Sequence, residues 1–210
     1  MPNRTELPGI ARVFIVDKDE ETRLSLLKLF RFANIDARSY ATAAELLDSV
    51  DLRAPGCLLL DTYIDGFDVQ RRLAAQDFSL PVVFMTRNAT IPMAVDAMKR
   101  GACDFLLKPL DDFAVLAAVR SAINRDLAAR ALAAERDLTQ RLIEMLTPRE
   151  REVMMYVAKG DLNKQIAHRL NVSEMMVKIH RGRMMKKMKA NSLVQLIKKL
   201  ELVYAKSTYW

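Results

Sequence analysis

LTPREREVMMYVAKGDLNKQIAHRLNVSEMMVKIHRGRMMKKMKANSLVQLIKKLEL, residues 146–202, reads as four helices with no strand. Thr147 can cap the first of them, Pro148 fits its first position, and Glu150, three residues after the cap, completes a capping box. Breaks at Lys159-Gly160-Asp161, Asn171-Val172-Ser173 and Ala190-Asn191-Ser192 separate helices expected over Pro148–Ala158, Asn163–Leu170, Glu174–Lys189 and Leu193–Val203. Only three residues join the middle pair. That is the spacing of a helix-turn-helix, whose second helix lies in the DNA major groove. Val177, Met184 and Met188 give this second helix an apolar stripe, and Lys178, His180, Arg181, Arg183, Lys186, Lys187 and Lys189 give it a basic one. Lys178 and Arg181 or Arg183 are candidates for guanine O6 and N7, while Lys186, Lys187 and Lys189 suit phosphates or solvent. His180 either hydrogen-bonds a phosphate or packs as a surface histidine. His168 has no cluster of ligand spacing near it and points to no metal.

Charge supports a polyanionic partner for this segment. Residues 146–210 hold 14 Lys/Arg against 5 Asp/Glu, whereas residues 1–125 hold 16 against 17 and residues 126–145 hold 3 against 4. All of the chain's net positive charge of +7 therefore arises in its last third, where phosphate contacts would release condensed counterions. No run of eighteen uncharged apolar residues occurs, so a membrane partner and a membrane span are not expected. The lead, residues 1–10, with Arg4, Glu6 and two prolines, reads as disordered and not as a secretory signal. The two cysteines, Cys57 and Cys103, sit in apolar stretches and suit buried thiols in a reducing cytoplasm.

Upstream, the pattern changes. Ala11–Val16, Cys57–Leu60, Pro81–Met85 and Phe105–Leu107 are short apolar runs suited to strands buried on both faces, with Ile35–Tyr40 a weaker fifth. Helical periods fall between them at Glu21–Phe32, Thr42–Val50, Val69–Ala75, Pro92–Arg100 and Asp112–Ile123. The expected inward residues are Leu24, Leu27, Leu29 and Phe30 on the first helix and Ala94, Val95 and Met98 on a later one. From Asp112 to Met145 neither glycine nor proline occurs, so the last helix is expected to run on as a connector, the alternative being a break near Asn124–Asp126. The expected fold class is α/β: a five-stranded parallel doubly wound domain over 11–123, a long helical connector over 124–146, and an all-α four-helix helix-turn-helix domain over 147–210.

The motifs LTPREREV, G-x-x-NKxIA and VSxxxVKxHRxxxMxKMxAxSLxxL, as they stand here, resemble the LuxR/FixJ-type DNA-binding domain across residues 146–202. The resemblance implies that the third helix docks in the major groove and the fourth makes a dimer contact, and the leucine-bearing connector together with Leu193, Leu196, Ile197 and Leu200 of the fourth helix is expected to offer the dimer surface. It places Lys178 and His180 on DNA, Asn163 and Lys164 near its backbone, and Ser173 and Met176 at the DNA-facing start of the recognition helix. Met176 stands where the family has threonine, which removes a hydroxyl, and Gly182 interrupts the recognition helix.

Polar residues end the strands of the first domain: Asp17, Asp61, Thr86 and Lys108, at the edge where open α/β sheets place their sites. FIVDKDE, LLLDTYIDGFDV, VVFMT and GACDFLLKP, in that order, resemble the receiver of two-component response regulators. The resemblance implies Asp61 as phosphoacceptor, Asp17 as a Mg²⁺-site acid, Tyr63 as the carbonyl ligand, Thr86 as the switch hydroxyl, Phe105 in the switch-aromatic place, and Lys108 meeting the phosphoryl group. Three departures touch this chemistry. Lys18 replaces the second acid of the pair and is expected to bring its ammonium up to Asp61, the alternative being that it points to solvent, while Asp19, one residue further on, faces another way. Arg87 stands where a small residue is usual and could cover or pair with Asp61. Asp65 replaces the usual proline.

A metal site built from Asp17, Asp61 and Tyr63 is therefore expected to be weak or absent, and no cofactor is required. The expected function is a cytoplasmic, DNA-binding response regulator, dimeric on double-stranded DNA, impaired in Mg²⁺-dependent phosphorylation. One alternative is an ordinary regulator activated by phosphorylation from a sensor histidine kinase. Another is a protein-binding receiver platform on a constitutive DNA-binding domain. An enzyme is not expected, since neither a nucleophile–base pair nor a nucleotide-binding glycine loop occurs.

Overall fold

A computed structural model describes residues 11–49, 54–62 and 80–204. Five strands, β1 (Arg12–Val16), β2 (Asp36–Tyr40), β3 (Gly56–Asp61), β4 (Val82–Thr86) and β5 (Asp104–Leu107), form one parallel sheet in the order β2-β1-β3-β4-β5. Between them run α1 (Glu20–Phe32), α2 (Ala43–Ser49) and α3 (Ile91–Lys99), and α4 (Asp112–Glu144) follows. The helix expected at Val69–Ala75 and the positions Tyr63 and Asp65 lie outside the described residues, as does the lead over 1–10. The apolar runs form strands because both faces are covered: Phe14, Leu58 and Phe84 enter one core layer, and Ile15, Leu59 and Val83 the other.

The inward stripes are partly different from those the sequence suggests. On α1 the buried residues are Leu26 and Phe30, and Leu24 is 51% exposed; on α3 it is Ala97 that is buried, while Val95 and Met98 face out. The phase of a short helix depends on where its cap fixes the first turn. Here Asp19 and Thr90 set that turn by accepting the N–H of Glu21 and Met93.

The expected connector is real, in that α4 is one uninterrupted helix of 33 residues. By its contacts the chain divides into residues 1–129 and 130–210, so α4 contributes to both units. In the first unit a carboxylate that sequence reading passed over, Asp126, is buried on α4 and accepts the Gly56 N–H at 2.9 Å. Gly56 has to be glycine, because a Cβ there would sit 2.0 Å from the Arg12 carbonyl oxygen. Both cysteines are free, and burial, with smaller contributions from Cys103 and Asp126, pushes the Cys57 thiol up to about 12.

The second unit takes the end of α4 together with α5 (Pro148–Ala158), α6 (Asn163–Leu170), α7 (Glu174–Lys187) and α8 (Leu193–Tyr204). Leu142, Ile143 and Leu146 join Val153, Ile166, Val177, Met184 and Leu196 in its core, so this core begins before residue 146. The capping box at Thr147 and Glu150 is present. The recognition helix stops at Lys187 rather than Lys189, which takes a left-handed φ of 50°. Among the described residues no helix is long and apolar enough to cross a membrane.

Candidate functional site

The strand order reverses between β1 and β3, and the acidic pocket opens at their carboxyl ends. Asp17, Asp61 and Thr86 are all nearly inaccessible there. The Lys108 ammonium, delivered by the turn after β5, donates to Asp17 Oδ2 at 2.5 Å and to Asp61 Oδ2 at 2.6 Å. Burial alone would lower the Lys108 pKa; the hydrogen bonds and charges of Asp17 and Asp61 outweigh it and hold the group above its ordinary value. The other oxygen of Asp17, Oδ1, accepts the Asp19 N–H at 2.9 Å. The Thr86 hydroxyl accepts the Asn88 N–H at 3.3 Å, and the half-buried Phe105 ring lies 6.3 Å from Phe84. Two carboxylates, a hydroxyl and an ammonium thus meet at one sheet edge, in the arrangement a phosphoryl-accepting aspartate needs.

Two pocket expectations require correction. Lys18 is exposed and does not reach Asp61: it lies in the bend beyond β1, where Arg23 pins the turn by donating to the carbonyls of Asp17 and Lys18. Arg87 pairs with Asp19 at 2.7 Å, not with Asp61. Asp19 is already the N-cap of α1, and the hydrogen bond from the Thr22 hydroxyl, joined by the Glu21 N–H and the charge of Arg87, keeps its carboxyl below its usual range. An N-cap tied to three donors has no reason to swing towards the pocket.

In the helical unit, α7 buries Val177 and Met184, with Met188 just past its end, and shows solvent Met175, Met176, Lys178, Ile179, Gly182, Arg183 and Lys186. Ser173 caps it, accepting the Met176 N–H at 3.2 Å, and Lys164 is exposed on α6. His180 is half-buried. Two of the expected DNA-facing cations have partners inside the domain. Arg181 donates to the Asn163 side chain at 3.1 Å and so fastens α7 to α6, which leaves Arg183 as the exposed member of the Arg181 or Arg183 pair. Lys187 donates to the buried Glu150 at 2.6 Å and to the Met145 carbonyl at 3.2 Å. Sequence reading missed Met175 and Ile179. Stepping 100° per residue from buried Val177 and Met184 would have put both on the outward side.

Lys187 is therefore a fastening of this domain, and its removal should act on stability first. Burial raises the Glu150 carboxyl, but the Lys187 ammonium and the Thr147 N–H outweigh this and leave it below its ordinary 4.5. We expect Lys187→Met to cost the 130–210 unit about 2 kcal/mol at pH 7, below the full value for a buried pair because the lysine side chain is a third exposed. A depressed carboxylate stabilises above its unfolded value and loses that contribution as pH falls through its folded one. The deficit should therefore close as the pH drops below about 4.5. Urea unfolding that shows no deficit at pH 7, or one unchanged at pH 3, would contradict this.

Residues 13–120 match the model of the response regulator receiver domain, and residues 144–200 that of bacterial regulatory proteins of the luxR family. Nodulation protein W of Bradyrhizobium diazoefficiens is 42% identical over 200 residues, covering 94% of this chain and 88% of that protein. The transcriptional regulatory protein FixJ of Azorhizobium caulinodans is 34% identical, with 91% and 92% covered. The response regulator StyR matches in structure with a TM-score of 0.80 at 34% identity, covering 92% of this chain and 99% of that one. The chain belongs to the LuxR/FixJ-type family of two-component response regulators, with a receiver followed by a LuxR-type DNA-binding domain.

Proposed function

We propose that this chain regulates transcription from the cytoplasm, binding double-stranded DNA as a dimer through α7, and that its receiver accepts phosphoryl at Asp61 poorly with Mg²⁺. One observation carries the receiver part: Lys108 holds both Asp61 and Asp17, the other Asp17 oxygen is engaged by Asp19 N–H, and residue 18 is a lysine. Mg²⁺ demands near-octahedral oxygen ligation. At residue 18 an ammonium stands where a carboxylate oxygen would serve that ion, which removes a ligand and adds a like charge beside it. Asp19, which could supply the missing acid, is committed to capping α1.

The rival reading, an ordinary phosphorylation cycle driven by a sensor histidine kinase, has one observation in its favour: the exposed Lys18 leaves the pocket unobstructed. Phosphoryl uptake from a small-molecule donor separates the two. Because residue 18 lies in a bend and not in the strand, a short carboxylate there can turn to an ion that the long ammonium faces away from, and Lys18→Asp, alone or with Arg87→Ala, should raise Mg²⁺-dependent labelling of Asp61 at least about ten-fold, or 1.4 kcal/mol of barrier. Fast, Mg²⁺-dependent wild-type labelling that neither change alters would leave the ordinary cycle standing.

Dimerisation is supported by α4, where the apolar side chains of Leu132 and Leu138 are 55% and 47% exposed. On α8, expected to offer Leu193, Leu196, Ile197 and Leu200, the core takes Leu196 and Leu200 completely, leaving Val194 at 62% exposure. Sedimentation of the DNA complex should give two chains per site. One chain per site would refute the dimer.

A further inference from the structure

The outward face of α7 is only half basic. At 100° per residue, Met175, Ile179, Gly182 and Lys186 share one arc opposite buried Val177 and Met184, and Met176, Lys178 and Arg183 border it. Its apolar members are well exposed, Met175 by 65%, Met176 by 42% and Ile179 by 38%, and they occupy the first two turns. Single apolar residues on a surface need no explanation. Three together on the end of a helix-turn-helix recognition helix that approaches base edges do.

The major groove has one apolar group to offer them. Guanine, cytosine and adenine edges present donors and acceptors, and only thymine adds a methyl. A side chain such as Ile179 or Met175 gains by covering that methyl and loses by facing a polar edge, whereas the neighbouring Lys178 and Arg183 suit guanine or phosphate. Gly182 supplies an independent observation. It is helical and takes no positive φ, and a Cβ built on it would meet nothing within 4 Å, so nothing inside the protein requires a glycine there. Alanine would make a better helix. Placed one turn beyond Ile179 on the same arc, the bare backbone lets DNA come closer than any side chain would allow.

We infer that Ile179 and Met175 are specificity-determining residues that read thymine methyl groups, and that Gly182 sets how close the groove can come. The inference rests on the DNA-binding reading of α7 and adds to it which bases the apolar side chains select.

The test uses the full-length chain. It first selects its own sites from a random duplex library, and the best duplex is then remade with deoxyuridine replacing each thymine in turn, a change that removes one methyl and nothing else. At one or two positions per half-site the loss of the methyl should weaken binding about four-fold, the value of one buried carbon. Ile179→Ala should bind the thymine and uracil duplexes equally at one of these positions, and Met175→Ala at the other, with the salt dependence of wild type. Gly182→Ala should raise the thermal stability of the chain and weaken the selected duplex. Because all three positions are exposed, unchanged or higher melting temperatures would show that the variants fold. Equal wild-type affinity for thymine and uracil at every position, on a duplex still bound sequence-specifically, overturns the inference and leaves DNA binding intact. Discrimination that survives both Ile179→Ala and Met175→Ala overturns it as well. Failure to bind any duplex at low salt would remove the DNA-binding reading and this inference with it.

Discussion

The affinity of the full chain for a duplex will fall about a thousand-fold between roughly 50 and 200 mM salt. The last third holds 14 Lys/Arg against 5 Asp/Glu, but not every cation faces outward. Lys187 serves Glu150, Arg181 serves Asn163, Arg149 pairs with Glu152, and Arg169 pairs with Asp161 while lying over the Tyr156 ring. Lys164, Lys178, Arg183 and Lys186 remain as exposed cations on α6 and α7. With Lys178 reading a base, a dimer then offers about six phosphate contacts, and six to ten such contacts lose roughly three to five decades over that salt range. Lys186→Ala should flatten the slope by about one contact per chain and weaken all duplexes alike. Lys178→Ala should instead change which sequences are preferred. An affinity that stays flat across this range would refute the electrostatic account, whatever the dimer does.

The acidic pocket was legible because its members end apolar runs. Asp17, Asp61, Thr86 and Lys108 each follow a stretch that can only be a buried strand, and a parallel sheet brings such ends together. The exposure of Lys18 was not legible in that way, because it lies in the bend beyond β1, where strand periodicity no longer applies. The partner of Arg87 was not available, since it lies in another loop 68 residues away in sequence. The same limit hid Asp126, whose amide partner Gly56 is 70 residues distant. In the helical unit the error had a different source. Counting basic residues on α7 weighs Lys178, Arg181 and Lys187 equally, while their angular positions separate one exposed side chain from two that fasten helices. A stripe of core residues fixes that phase, and Val177 with Met184 was enough to do so.

Lys108→Ala should cost the receiver about 3 kcal/mol at pH 7, because it strips the cation from two carboxylates that have almost no access to water. The Lys108 side chain is 6% exposed, Asp17 1% and Asp61 9%, so solvent cannot take over the lost interaction as it would for a surface pair. Breaking a buried pair by removing one partner is costlier than replacing the whole cluster, since the desolvation of what remains is left unbalanced. Lys108→Arg, which keeps the charge but not the reach of a single ammonium to both oxygens, should fall between the two. The pH dependence gives an independent check. The folded Lys108 pKa lies above its ordinary 10.5, so its contribution is complete below the unfolded value and disappears as pH rises through the folded one. The gap between wild type and Lys108→Ala should therefore be constant near neutrality and narrow above about pH 10.5. Urea unfolding of the 1–129 unit followed by circular dichroism measures both. A deficit under about 1 kcal/mol at pH 7 would mean that the two carboxylates are solvated far better than their burial indicates.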